Sequence, residues 1–224
     1  MIIAVDGFSS TGKSTLARQL AAHFNFLYID TGAMYRAITL FAVVNNMKKG
    51  QLIDKNKLVK SLPEVDIELQ HKSDQENQVF LNGKNVTSDL RKMEVSKLVS
   101  EVAALAAVRE KLVLIQRRLS ESKSVVMDGR DIGTVVFPDA DLKLFINADA
   151  VVRANRRWIE MQDKGDDTPF DVIVNNIKER DAKDSTRKIA PLKKADDAIE
   201  IDNTYLTRKQ QLDCAIKLVN DLKN

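Results

Sequence analysis

Gly7-Phe8-Ser9-Ser10-Thr11-Gly12-Lys13-Ser14, followed by Thr15, is the stretch that decides how this chain folds. The octet satisfies GxxxxGK[S/T]. An apolar, strand-like run from Ile2 to Val5 precedes it, and Leu16, Leu20 and Phe24 recur at helical spacing after it. Strand, glycine-bearing turn and helix in that order build a phosphate cradle. Backbone N–H groups of the turn and of the helix N-terminus point at phosphate oxygens, and glycines let the backbone come close. In such a cradle Lys13 bridges the β- and γ-phosphates and the Ser14 hydroxyl is a Mg²⁺ ligand. Residues Gly7 to Thr15 are therefore expected to hold a nucleoside triphosphate.

Further apolar runs at Phe26 to Ile29, Ser124 to Met127, Leu142 to Ile146 and Ala198 to Ile201 are continuous rather than alternating. Continuous runs suit strands covered on both faces, so the expected fold is α/β, a parallel sheet of about five strands wrapped by helices. Leu112, Ile115 and Leu119 mark a helix before the third of these strands. A last helix is expected to start at a Thr207 cap with Gln210 in capping-box position and to bury Leu212, Ala215, Val219 and Leu222. Between the second and third strands lies far more chain than one crossover helix needs. There Val65 to Leu69 and Gln78 to Val86 alternate like antiparallel strands, and Asn82-Gly83 signals a type I′ hairpin. A small β insertion on an α/β core follows.

Composition sets the outer limits. The 224 residues are 44% hydrophobic and 30% charged with a net charge of +3, which fits a globular protein and gives no sign of a general nucleic-acid or membrane-surface binder. A lone cysteine, Cys214, excludes an intramolecular disulfide framework. Met1 leads into a short run containing Asp6, neither a signal peptide nor a membrane span, so a cytoplasmic location is expected. His23, His71, Trp158 and Cys214 show no metal-ligand spacing.

The cradle alone leaves kinases, switch GTPases and ATPase motors open. A switch GTPase would normally carry NKxD, but Asn56-Lys57 continues as Leu58-Val59. The acceptor side must decide, and three further segments bear on it. They are Asp30-Thr31-Gly32-Ala33-Met34-Tyr35-Arg36, then Asp128-Gly129-Arg130-Asp131-Ile132-Gly133-Thr134-Val135-Val136-Phe137-Pro138, and Lys178-Glu179-Arg180-Asp181 with Asp184, Arg187 and Ala190-Pro191-Leu192. With the loop and the β insertion they make nearly the whole chain resemble the bacterial-type cytidylate kinases. Asp6, Asp30 and Asp128 also stand at strand ends, where ligands of open parallel sheets bind.

The resemblance implies a P-loop core over 1–30, 108–152 and 166–224, an NMP-binding region with the β insertion over 31–107, and a short helical lid over 153–165. It implies ATP as donor, Mg²⁺ held by Ser14 and, through water, by Asp128, and CMP or dCMP as acceptor. Arg36, Arg130 and Arg187 would hold the acceptor phosphate with Thr31 and Tyr35 nearby; forked guanidinium groups suit phosphate oxygens. Ser100, Arg109 and Asp131 would surround the cytosine. Asp131 can accept from the exocyclic N4 amine, whereas UMP would set its O4 acceptor against that carboxylate at a cost of about 1–3 kcal/mol. Arg180 and Asp184, one helical turn apart, would meet the ribose. Lid arginines Arg153 and Arg157 would join Lys13, Arg130 and Arg187 in neutralising charge during transfer. Expected partners are small nucleotides, with no nucleic acid and no membrane, and a monomer is expected. The remaining alternatives are a UMP or AMP kinase and a non-enzymatic nucleotide switch. Two positions depart from the family pattern: Phe8 stands where proline is usual, and Thr31 where serine is usual.

Overall fold

The computed structural model describes residues 1–71, 77–121, 123–163 and 165–222, with the backbone alone at His71. Residues 72–76 of the expected NMP-binding region, 164 of the expected lid, and 122 and 223–224 of the expected core lie outside the described residues. The central sheet has five parallel strands, β1 (Ile2–Gly7), β2 (Leu27–Asp30), β8 (Val125–Gly129), β9 (Leu142–Asn147) and β10 (Ile199–Asp202), in the order β10-β9-β1-β8-β2. Each strand covers an expected apolar run to within about a residue or two at its ends. In register, Val5 lies opposite Asp128 and Leu144. Ile3, Ala4, Val5 and Val125 to Met127 have no exposed surface, the burial on both faces that their unbroken hydrophobicity called for.

Helix α1 (Lys13–Phe24) and helix α8 (Arg208–Asp221) pack Leu16, Leu20, Ala215 and Val219 on one face. Helix α5 (Ala106–Ser120) and a π-helical turn at Ile132–Val136 cover the other. The Thr207 capping box at the start of α8 is formed, its two reciprocal bonds satisfying N–H groups that a helix start otherwise leaves open. Leu222 corrects the expectation for this helix. It lies one residue past the last turn and is 51% exposed.

The insertion holds helix α2 (Thr31–Val44), a hairpin of β3 (Lys48–Lys49) and β4 (Leu52–Ile53), helix α3 (Lys55–Ser61), strands β5 (Ile67–His71), β6 (Asn77–Leu81) and β7 (Lys84–Asn85), and helix α4 (Met93–Ala103). Strands β5, β6 and β7 are antiparallel, and Asn82 and Gly83 both take positive φ, as a type I′ turn requires. Strand β5 starts at Ile67 rather than Val65, because Val65 closes a 3₁₀ turn over Leu62–Glu64. Helix α2 is buried nearly all round and shares with α4, α5, β5 and β6 a core separate from that of the sheet. Helices α6 (Ala150–Gln162) and α7 (Phe170–Thr186) pair over a small cluster of Ala154, Met161, Ile173 and Ile177. The Asp149 carboxylate caps α6 through the N–H groups of Val151 and Val152. Among the described residues no helix is long and apolar enough to cross a membrane.

Candidate active site

A cleft of about 850 Å³ opens at the carboxyl ends of the sheet strands, between the insertion and the α6/α7 pair. One end is the loop. Gly12 sits at φ +91 as the N-cap of α1, and Ser10 is also left-handed at φ +60. Gly7 at φ +152 admits no side chain, since a Cβ there would lie 2.2 Å from the Ile146 carbonyl oxygen of β9. The Lys13 ammonium donates to the Phe8 carbonyl at 3.1 Å. Burial, with repulsion from Arg130, brings its pKa down to about 7. The Phe8 ring meets Phe145 edge-on and lies under the Arg153 guanidinium, away from the cleft lining. The unusual residue thus leaves the phosphate side of the loop to the backbone.

Asp128, at the tip of β8, accepts the Ser14 hydroxyl at 2.6 Å and the Tyr28 hydroxyl at 2.8 Å. Burial and the neighbouring Asp30 raise its carboxyl. A serine hydroxyl beside a carboxylate is a hard-oxygen pair of the kind Mg²⁺ takes, and both residues line the cleft, so this corner fits that ion. Thr31 donates its hydroxyl to the Asp128 carbonyl at 2.8 Å and is 2% exposed. Its hydroxyl proton is thus held by β8, while the residue itself lines the cleft.

At the other end the side chains come from elements far apart in sequence and are paired with one another. Arg109 of α5 bonds Asp131 and the Ala103 carbonyl, and its guanidinium lies over the Tyr35 ring at 5.5 Å. Arg187, at the end of α7, reaches the other Asp131 oxygen at 3.4 Å. Arg130 Nε and the Ser100 hydroxyl both donate to Asp184 at 3.0 Å, and Arg180 lies 3.9 Å from it. Arg36 pairs with Asp30 at 2.9 Å, and that carboxylate also caps α2 through the Ala33 N–H.

The electrostatics follow from burial among arginines. Burial raises Asp131 against the pull of Arg109 and Arg187. At Asp184 burial also pushes upward, but Arg130 and Arg180 outweigh it and hold the carboxyl below its usual range. Arg180, buried beside Arg130, falls to about 10. Tyr35 is pushed up to about 12 by burial. This end of the cleft is thus a basket of partly neutralised guanidinium groups suited to a dianion and to one flat polar ring.

Sequence reasoning placed Arg36, Arg109, Arg130, Asp131, Arg180, Asp184, Arg187, Ser100 and Arg157 at this site, and all line the cleft. Arg153 does not. Its guanidinium bonds the Ala148 carbonyl, the Ser9 carbonyl and Asp181 beneath the loop, so the structure does not bring it to the cleft lining. The signal was available: with Asp149 as cap, Arg153 falls in the first turn of α6, at the helix base. Arg157 pairs with Glu160 at the cleft wall. Arg156, on the expected lid helix but without an assigned role, is bonded to the Asn203 carbonyl at 2.7 Å, and Asn203 itself, which donates to the Thr11 carbonyl at 2.6 Å, was missed. Arg91 of the insertion, paired with Glu160 of α6 across the mouth at 3.3 Å, was missed too. None of these three sits in a recognisable motif.

Residues 3–221 match the family model described as Cytidylate kinase. A protein named Cytidylate kinase from Flavobacterium johnsoniae is 49% identical over 221 residues, covering 98% of this chain and 96% of that one. One of the same name from Bacteroides fragilis is 49% identical over 212 residues, covering 93% and 92%. A solved structure of an uncharacterized protein from Eubacterium ventriosum superposes with a TM-score of 0.52 at 14% identity, over 99% of this chain and 98% of that one, a likeness of fold alone.

Proposed function

The chain belongs to the cytidylate kinase family, and from that membership we infer that it transfers the terminal phosphoryl group of ATP to CMP. The proposal extends to dCMP as an acceptor, to Mg²⁺ as the ion, and to a monomer divided into core, NMP-binding region and lid as the sequence suggests. One observation carries the reading: Lys13 and the loop face, across a single cleft, four arginines and the buried Arg109–Asp131 pair.

In this scheme backbone N–H groups of Gly7 to Thr15 and the Lys13 ammonium hold the donor phosphates. Ser14 and Asp128 would hold Mg²⁺, which when bound draws charge from the β- and γ-phosphate oxygens. Arg36, Arg130 and Arg187 grip the acceptor phosphate and exchange their carboxylate partners for its oxygens. Asp131 and Arg109 turn to the cytosine edge, one as acceptor and the other as donor, while Arg180 and Asp184 take the ribose. Arg157 swings from Glu160 toward the transferring group, and Arg153 fixes Ser9 of the loop from below. No protein base is needed, since a phosphate monoester oxygen is largely ionised near neutral pH, its second pKa being about 6. Positioning and charge neutralisation do the rest.

The test is ADP release with ATP and Mg²⁺ against CMP, dCMP, UMP, AMP and GMP. CMP is expected to lead with dCMP close behind. A clear preference for UMP or a purine monophosphate would sink the acceptor assignment.

A further inference from the structure

Asp6 is the penultimate residue of β1, directly before the loop, is only 5% exposed, and is not among the residues lining the cleft. It is a buried acid outside that lining, at a place where an apolar residue would ordinarily pack. Its two oxygens are both used: one accepts the N–H of Ile132 and the other the N–H of Gly133, each at 2.8 Å. Those amides open the π-helical turn Ile132–Val136, directly after Arg130 and Asp131. No side chain of the turn's own preceding residue caps it, so the cap is supplied from another strand.

Asp6 and Lys143 also face the turn at Gly133. A Cβ on Gly133 would lie 3.5 Å from the Asp6 carboxylate and 3.1 Å from the Lys143 side chain. At the far end of the turn, Arg117 donates to the Val135 and Val136 carbonyls at 3.0 Å each. The backbone that carries Asp131 is therefore clamped at both ends. Beside Asp6, Gly7 pairs in register with Ile146 of β9, and a Cβ on it would lie 2.2 Å from the Ile146 carbonyl oxygen.

We propose that Asp6 is a positioning residue for acceptor selectivity, its carboxylate aiming Asp131 at the base by holding the Ile132 and Gly133 amides. One strand end then fixes both the donor loop, through Gly7, and the group that distinguishes cytosine from uracil. The inference rests on Asp131 being the base reader. Burial lifts the Asp6 carboxyl to about 7 against the pull of its two N–H donors, which marks it as costly to keep and consistent with a role that needs two acceptors.

Asp6→Asn keeps size but turns one acceptor into a donor facing an N–H. We would measure kcat and KM for CMP and UMP, KM for ATP, and the melting temperature, for the parent, Asp6→Asn and Asp131→Asn. Asp6→Asn is expected to lower the CMP-to-UMP ratio of kcat/KM by about 5-fold or more, chiefly through KM for CMP, with KM for ATP within about twofold of the parent. An equal loss on both acceptors, leaving the ratio unchanged, would overturn the proposal, since a merely structural role predicts that. If the ratio is also unchanged in Asp131→Asn, the base-reading role itself fails; if it falls there but not in Asp6→Asn, only the positioning role does. Should Asp6→Asn not fold, Asp6→Ser leaves a single shorter acceptor for the two N–H groups, and an unaltered ratio in it overturns the proposal equally.

Discussion

The two ends of the cleft are built on different principles. The donor end is local and made of backbone: nine consecutive residues, Gly7 to Thr15, with left-handed turns at Ser10 and Gly12 and a glycine wedged against β9. The acceptor end is assembled from side chains of α2, α4, α5, α7 and the β8 tip, and its charges are paired with each other. A backbone cradle offers its N–H dipoles without rearrangement, so it serves any triphosphate of suitable shape. A side-chain basket must exchange each carboxylate partner for a substrate oxygen. It therefore discriminates: an acceptor lacking the right groups leaves buried charges mispaired.

That contrast can be broken most severely at Gly7. Gly7→Ala sets a methyl group 2.2 Å from a backbone oxygen that cannot swing aside, in a φ that L side chains rarely adopt. It is expected to cost about 3 kcal/mol or more of stability and to abolish ATP binding. Gly12→Ala is the comparison: its φ of +91 also strains an L side chain, but its nearest neighbour, at 2.7 Å, is the end of the Asn203 side chain rather than backbone, so the loss should be smaller. Equal melting temperatures for the two variants would show that the donor end is not rigid backbone.

The next largest effect belongs to the basket. Arg187→Ala removes one of two arginines on Asp131 while Arg109 remains, so the fold should persist with a near-parent melting temperature. Turnover of CMP should fall by about 10²- to 10³-fold, the loss typical of removing one preorganised donor to a developing charge. Steady-state kinetics with KM for ATP unchanged would keep the two ends separate. Near-parent activity would remove Arg187 from the site.

The same division explains what could be read from sequence. The loop, the five strands, the Thr207 box and the Asn82-Gly83 hairpin are each written in consecutive residues, where spacing and turn chemistry act directly. Pairing across the chain is not. That Arg109 and Asp131 share a bond, that Ser100 donates to Asp184, and that Arg156 rather than Arg153 faces the cleft depend on how α4, α5, α6 and α7 are set around β8. The β3–β4 hairpin was also missed. Its strands are two residues each, too short for any alternation to register.

The smallest effect sharpens the donor end. Lys13 is the one side-chain charge that the backbone cradle contributes to the cleft, and burial together with Arg130 holds its pKa near 7, so at pH 8 most of it is neutral. A bound triphosphate supplies the opposite charge and restores the ammonium form, so nucleotide binding must take up a proton there. With a free pKa of about 7, uptake should approach about 0.9 proton at pH 8 and shrink to about 0.1 at pH 6. The γ-phosphate, whose last pKa is about 6, adds release at the acid end and widens the difference. Titration calorimetry in buffers of different ionisation enthalpy reads the proton count directly. Lys13→Arg, which stays charged throughout, should lose the rise between pH 6 and pH 8. A rise that survives in that variant would assign the proton to another group, and would mean that the cradle's one mobile charge is already in place before the nucleotide arrives.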